Sequence, residues 1–180
     1  MLLLSAAIVV ALVAVPSVSA TAADCTFTLG AKKYDLSPLK AANGSYVVSQ
    51  SIDDSQGGYL YFNNEEGVTS KYTFQLQICG NVEQPVSKAC KTPAPVYMIS
   101  EDGQTCMALG NIEAAAFNEN PYKDGINLRM YNGDAVSHIQ DYAATIYFVC
   151  NPKLKMQAPA FEHMTNFYAA HFKVFTSLVC

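Results

Sequence analysis

The sequence predicts an all-β domain: a flattened barrel or sandwich of two antiparallel sheets, held by disulfides. Three observations carry this. Short runs of β-branched and aromatic residues recur between turns at the roughly 8–12-residue spacing of sandwiches and barrels. No long amphipathic helical pattern interrupts them. The six cysteines, Cys25, Cys79, Cys90, Cys106, Cys150 and Cys180, all follow an apolar N-terminal leader. In an exported chain an even set of cysteines forms disulfides.

The leader is Leu2 to Val15, a continuous apolar run with one serine, followed by Pro16 and the small-x-small pattern Val18-Ser19-Ala20. It predicts a signal peptide over residues 1–20 and a single domain over 21–180. No second apolar run approaches the ~18 residues of a membrane span. An anchor is expected, if anywhere, beyond Cys180. The formal charge is −4, from 15 acids and 11 bases. The single arginine is Arg129, and no cluster of bases suggests a nucleic-acid surface. With 11 Tyr, 9 Phe and no Trp, the composition is that of an ordered, strand-rich domain.

In chain order, Cys25 to Leu29 alternates as a first strand, and Gly30 ends it. In Lys33 to Leu39, Asp35 or Ser37 is placed to cap a helical turn begun by Pro38. Ser45 to Ser49 and Tyr59 to Phe62 are β candidates, with polar turns at Asp53 to Gly58 and Asn63 to Gly67. Lys71 to Cys79 has the clearest period of two: Tyr72, Phe74, Leu76 and Ile78 on one face; Lys71, Thr73, Gln75 and Gln77 on a wet one. Gly80 to Pro95 reads as loop. Val96 to Ser100 and Thr105 to Leu109 are short strands. Asn111 to Phe117 reads as one helical turn. Ile126 to Tyr131 alternates, with Arg129 facing outward, and Asn132-Gly133 reads as a hairpin turn. Tyr142 to Cys150 is a strand that ends at Asn151-Pro152. Phe161 to Ala170 fits helix or loop, and His171 to Cys180 closes the chain with a strand-like run.

No catalytic constellation emerges. The pairs Asp53-Asp54 and Glu65-Glu66 sit in turns and read as solvated loop charges. His138, His163 and His171 are scattered and read as ordinary surface or core histidines. No Cys or His spacing suits zinc, so neither metal nor cofactor is expected. Asn43-Gly44-Ser45 is a glycosylation sequon, with Asn43 the acceptor.

The order of features resembles the mannose 6-phosphate receptor homology domain. The pieces are Cys25-Thr26-Phe27; Lys33-Tyr34-Asp35-Leu36-Ser37-Pro38-Leu39; Tyr72-Thr73-Phe74 leading to Ile78-Cys79-Gly80; Cys90; Cys106; Leu128 to Asp134; the strand ending at Cys150; and Phe172 to Cys180. The resemblance implies a flattened barrel of two packed sheets. Sequence alone allows about fifteen disulfide connectivities. The resemblance implies Cys25–Cys79, Cys90–Cys106 and Cys150–Cys180. Each such bridge typically stabilises a fold by ~2–4 kcal/mol. Many family members have a fourth bridge, whose cysteines would lie near His138 and near Tyr168; both are missing here.

The family's sugar site holds mannose hydroxyls with a Gln, an Arg, a Glu and a Tyr, because each hydroxyl both donates and accepts. The resemblance places these roles at Met107, directly after the fourth cysteine; at Tyr142, before the fifth; at Glu162; and at Ala170, before the last. Glu162 alone keeps the family's residue type. Arg129 is a candidate to replace the missing arginine. The relatives that read N-glycans in the endoplasmic reticulum carry paired tryptophans, which this chain lacks.

The expected function is a non-catalytic binding or cargo-sorting module of the secretory or endolysosomal lumen, or a secreted one, whose mannose site is largely lost. Its partner would be a glycoprotein or protein cargo. One alternative is a working lectin with a rebuilt site, drawing on Glu162, Arg129 and Gln104 or Tyr142. Another is a structural surface or secreted protein that uses the scaffold for assembly. A hydrolase is not expected, since no nucleophile–base pair is visible.

Overall fold

The computed structural model describes residues 24–53, 69–120, 124–137, 140–165 and 168–180. The signal peptide, Tyr59 to Phe62, the turn residues 54–58 and 63–67, and His138 lie outside the described residues. Within those described, the strands in order are β1 (Thr26–Leu29), β2 (Lys32–Asp35), β3 (Tyr46–Asp53), β4 (Thr69–Leu76), β5 (Val96–Ser100), β6 (Cys106–Ala108), β7 (Asn111–Glu119), β8 (Gly125–Tyr131), β9 (Ala135–Ser137), β10 (Gln140–Asp141), β11 (Ala143–Cys150), β12 (Ala160–Thr165) and β13 (Ala169–Thr176). They form a four-stranded sheet, β3-β4-β5-β6, and a five-stranded sheet, β12-β13-β11-β8-β7, with two small ribbons, β1-β2 and β10-β9. These pairs are antiparallel except β11 with β13, which run parallel with Ala144 beside Ala170 and Cys150 beside Thr176.

The two larger sheets bury one shared core. Tyr72, Phe74, Leu76 and Met98 from one sheet meet Leu128, Ile146, Phe148 and Phe172 from the other. Phe74 stacks on Phe161 at 4.9 Å and meets the edge of Phe172 at 5.4 Å. This is the side-chain layer that period-two strands produce when two sheets face each other.

The disulfide pairs are Cys25–Cys79, Cys90–Cys106 and Cys150–Cys180, with Cα separations of 5.2, 5.0 and 4.7 Å. The first ties the start of β1 to the residues after β4. The second ties the Gly80–Pro95 loop to β6. The third ties the end of β11 to the chain beyond β13. A chain so bridged belongs to an oxidising compartment, the secretory lumen or the extracellular space.

Four local expectations change. Asn111–Phe117 is not a helical turn but most of β7, paired to β8 from Ala115↔Met130 to Glu119↔Ile126. Partner-strand pairing and the Phe117–Phe27 stack, 3.7 Å between centroids, outweigh the helix propensity of the alanines. The segment expected as helix or loop over 161–170 is mostly strand in its described residues: 161–165 belong to β12, and Ala169 and Ala170 begin β13.

The wet face of β4 is dry at one end. Gln75 and Gln77 are buried: the 80–95 loop folds over Gln75, while the Gln77 side chain is tied to the Ala41 backbone, its Oε1 accepting from Ala41 N at 2.9 Å. Gln75 Nε2 donates to Gln84 O (2.9 Å) and Ser45 Oγ (2.8 Å), and its Oε1 accepts from Val86 N (2.8 Å). Beneath the loop, Val82 and Ala94 pack on Tyr97, Ile99 and Ala108 in a second small core.

Asn132-Gly133 does not close a hairpin between β8 and β11. The chain makes an excursion through β9 and β10 first. A Cβ on Gly133 would lie 2.3 Å from Ala108 O and 2.6 Å from Tyr142 O. Glycine is used here for close backbone approach.

The Ser37–Leu39 turn is a 3-10 helix with Pro38 in its first turn. Its N-cap residue is Leu36. Asp35 Oδ1 accepts from Ser37 N (2.9 Å) and Ser37 Oγ (2.6 Å), which holds the Asp35 carboxyl below its usual pKa.

Candidate functional site

Two regions carry the residues singled out from the sequence, and they lie on opposite faces of the five-stranded sheet. Met107, Tyr142 and Ala170 belong to the shared core, with 7%, 5% and 0% of their surface exposed. Met107 sits on β6 opposite Met98. Ala170 lies between Ala144 of β11 and Met164 of β12. Tyr142 immediately precedes β11. Asp134 ties the β6 segment to Tyr142: its Oδ2 accepts from Ala108 N at 2.7 Å, and its backbone carbonyl accepts from Tyr142 N at 2.9 Å.

Glu162 and Arg129 lie on the outer face. Strand alternation explains the split. Ala170, Phe172 and Val174 point to the core, so His171 and Lys173 point out; Leu128 and Met130 point in, so Arg129 points out. Glu162 pairs with Lys173. Arg129 is exposed, lies opposite Thr145, and has its guanidinium 5.2 Å from the Tyr131 ring. Gln104 is in the 101–104 turn, its backbone N–H donating to Asp102 Oδ1 at 2.9 Å, and joins neither group. Asn43 is exposed in the turn before β3.

On the outer face, two adjoining depressions share Thr165 and His171. The larger, ≈ 350 Å³, is lined by Asn120, Tyr147, Val149, Glu162, His163 and Lys173 besides the shared pair. The smaller, ≈ 210 Å³, reaches Arg129, Tyr131, Thr145 and Tyr168. At their junction His171 is held from both sides. Its Nδ1 lies 3.1 Å from Tyr147 Oη and its Nε2 lies 2.9 Å from Thr165 Oγ1. The rings of Tyr147 and His163 both lie 11° from parallel to it, at 5.7 and 4.4 Å. Burial first, then the His163 imidazole and the Arg129 guanidinium, pull the His171 pKa down from 6.5 to about 4. The imidazole is therefore neutral near pH 7.

From the sequence, His163 and His171 read as ordinary histidines, and Tyr147, Thr165 and Asn120 do not stand out. The available signal is alternation: Thr145 and Tyr147 in one run, His171 and Lys173 in another, each opposite an apolar face. Bringing them together requires the parallel register of β11 and β13, and alternation says nothing about which strands pair. Among the described residues, no group of three or more His, Cys, Asp or Glu side chains is arranged to hold a metal ion.

No family model matches this chain, and no curated protein matches it. Solved structures do. Chicken IGF2R domain 11 superposes over 90% of this chain and 95% of its own, at 20% identity and a TM-score of 0.55. Domain 11 of the echidna mannose 6-phosphate/IGF2R receptor, an NMR solution ensemble, covers 88% of this chain and 95% of its own, at 20% identity and a TM-score of 0.48. The likeness to the chicken domain extends over nearly the whole described chain. In fold, this chain is a mannose 6-phosphate receptor homology-like domain.

Proposed function

We propose that this chain is a non-catalytic binding or cargo-sorting module of the secretory or endolysosomal lumen, with a receptor-like scaffold whose mannose position has become core. The observation that carries the reading is the burial of Met107 and Ala170. Neither offers a hydrogen bond to a sugar hydroxyl. Each hydroxyl left unpaired there would cost about 1–3 kcal/mol, enough to cancel a weak lectin affinity. Glu162, the one position that keeps the family's residue type, lies on the outer face in an ion pair with Lys173. The partner on this reading is a protein or glycoprotein cargo, and the exposed Asn43 carries an N-glycan.

The test uses the secreted chain on immobilised mannose-terminated and phosphomannosyl glycans. The expected result is no binding that free mannose or mannose 6-phosphate competes. Saturable, mannose-competed binding would overturn the reading. A second reading, a lectin with a rebuilt glycan site, is favoured by one observation: Glu162 and Arg129 line adjoining depressions that share His171 and Thr165.

A further inference from the structure

We propose that the loop between β11 and β12 docks on an anionic lipid surface, with Leu154 and Met156 entering the headgroup layer and Lys32, Lys40, Lys153 and Lys155 meeting the anionic headgroups. Such docking requires only an exported chain, and holds whether or not a sugar site persists.

The loop presents apolar side chains to water from a fixed backbone. Leu154 and Met156 are 38% and 37% exposed, and every residue from 152 to 157 is exposed. Yet the main chain is tied down. Leu154 O accepts from Ser177 N at 2.7 Å, Lys155 O accepts from Thr176 Oγ1 at 2.8 Å, and Gln157 N donates to Phe175 O at 3.0 Å. These bonds use backbone atoms of the loop and leave its side chains facing outward.

Lysines surround the apolar pair. Lys153 and Lys155 alternate with it in the loop. On one side, the 3-10 turn Ser177–Val179 that anchors Leu154 leads to Cys180, whose carbonyl accepts from Lys32 Nζ at 2.5 Å. On the other, Met156 Sδ lies 3.7 Å from Tyr46 Oη, which donates to Leu39 O at 2.8 Å, and the exposed Lys40 comes next in the chain. Among the described residues, the ion pairs Lys71–Glu101 and Lys173–Glu162 involve none of the four. Asp35 is held by Ser37, on the face of β2 opposite Lys32. Asp124 lies towards this end, its carbonyl accepting from Cys150 N at 3.0 Å. One carboxylate against four ammonium groups leaves the surface positive.

The composition favours lipid over protein. Protein interfaces are enriched in aromatic residues and arginine and depleted in lysine. Lysines flanking exposed apolar side chains suit a bilayer surface, where the stems lie along the apolar layer and the ammonium groups reach the headgroups. The whole chain carries −4, so only a local patch can attract an anionic surface. Acids beyond a Debye length of about 10 Å oppose it little at moderate salt.

The experiment is co-sedimentation of the intact secreted chain with vesicles of phosphatidylcholine, alone or with about one-third phosphatidylserine, in about 0.1 M salt. The expected result is binding to the mixed vesicles and none to phosphatidylcholine alone. Lys153→Gln with Lys155→Gln should weaken it roughly 30-fold. Leu154→Ser should weaken it roughly tenfold. Lys88→Gln with Lys91→Gln makes the same charge change on the exposed 80–95 loop, and should leave binding within about twofold. Circular dichroism would verify that each variant folds. No binding to the mixed vesicles, or equal losses in the two double variants, would overturn the proposal. Binding to a polyglutamate peptide with none to vesicles would overturn it in favour of an acidic protein partner.

Discussion

The His171 imidazole stacks on that of His163, 4.4 Å between centroids, while Tyr147 and Thr165 hold its two ring nitrogens. The fold thus shelters a base that is hard to protonate. The folded pKa is about 4, against an ordinary 6.5. Between those values the unfolded chain binds a proton that the folded chain does not. Stability from this group is therefore complete above pH 6.5 and lost as pH falls toward 4. Thermal melts across that window should show a decline in Tm that is shallower in His171→Gln. Equal slopes in the two proteins would show that His171 is not the group responsible.

Gly133 and Gly103 make a controlled pair. An alanine Cβ at Gly133 would meet Ala108 O at 2.3 Å, whereas at Gly103, with φ +68°, nothing lies within 4 Å. Gly133→Ala should cost about 1–3 kcal/mol or more through overpacking. Gly103→Ala should cost about 1–2 kcal/mol from the left-handed backbone alone. Urea midpoints would rank them, and a milder Gly133 variant would contradict the close approach between the Ala108 and Tyr142 carbonyls.

Gln75 fastens the 80–95 loop. Gln75→Ala removes the acceptor for Val86 N and the donor to Gln84 O. The expected loss is about 1–3 kcal/mol. Hydrogen exchange should accelerate at the Val86 amide first. Unchanged exchange there would mean that the small core under Tyr97 holds the loop without the glutamine.

The staples should differ in worth. Cys25–Cys79 closes a separation of 54 residues and Cys90–Cys106 one of 16. Loop-closure entropy gives about 4 and about 3 kcal/mol respectively. Paired serine substitutions, measured by denaturant unfolding, should destabilise in that order.

Much of this fold is legible in the sequence, and for local reasons. β4 is visible because Tyr72, Phe74, Leu76 and Ile78 alternate with polar residues, and alternation needs no partner to be recognised. Gln75 and Gln77 mislead, because a residue's face is not its burial: the 80–95 loop covers Gln75, and the Ala41 backbone bonds Gln77. Asn111 to Phe117 misleads because the alanines of β7 favour a helix until β8 offers its edge and Phe27 its ring. The outer-face groove is hidden for a different reason. Tyr147 and His171 meet only through a parallel pairing between strands far apart in sequence. Glu162 and Arg129 stand out in the sequence, but as parts of one mannose pocket. They lie instead across the sheet from Met107 and Ala170.

The central claim is that the mannose position of this scaffold is now core. The most direct measurement is the methyl spectrum of Met107 and Ala170 while mannose and mannose 6-phosphate are titrated to millimolar concentration. Both side chains are almost wholly buried. The account predicts that neither methyl resonance moves. Saturable shifts of both, at the same sugar concentration, would show an open mannose site and contradict it.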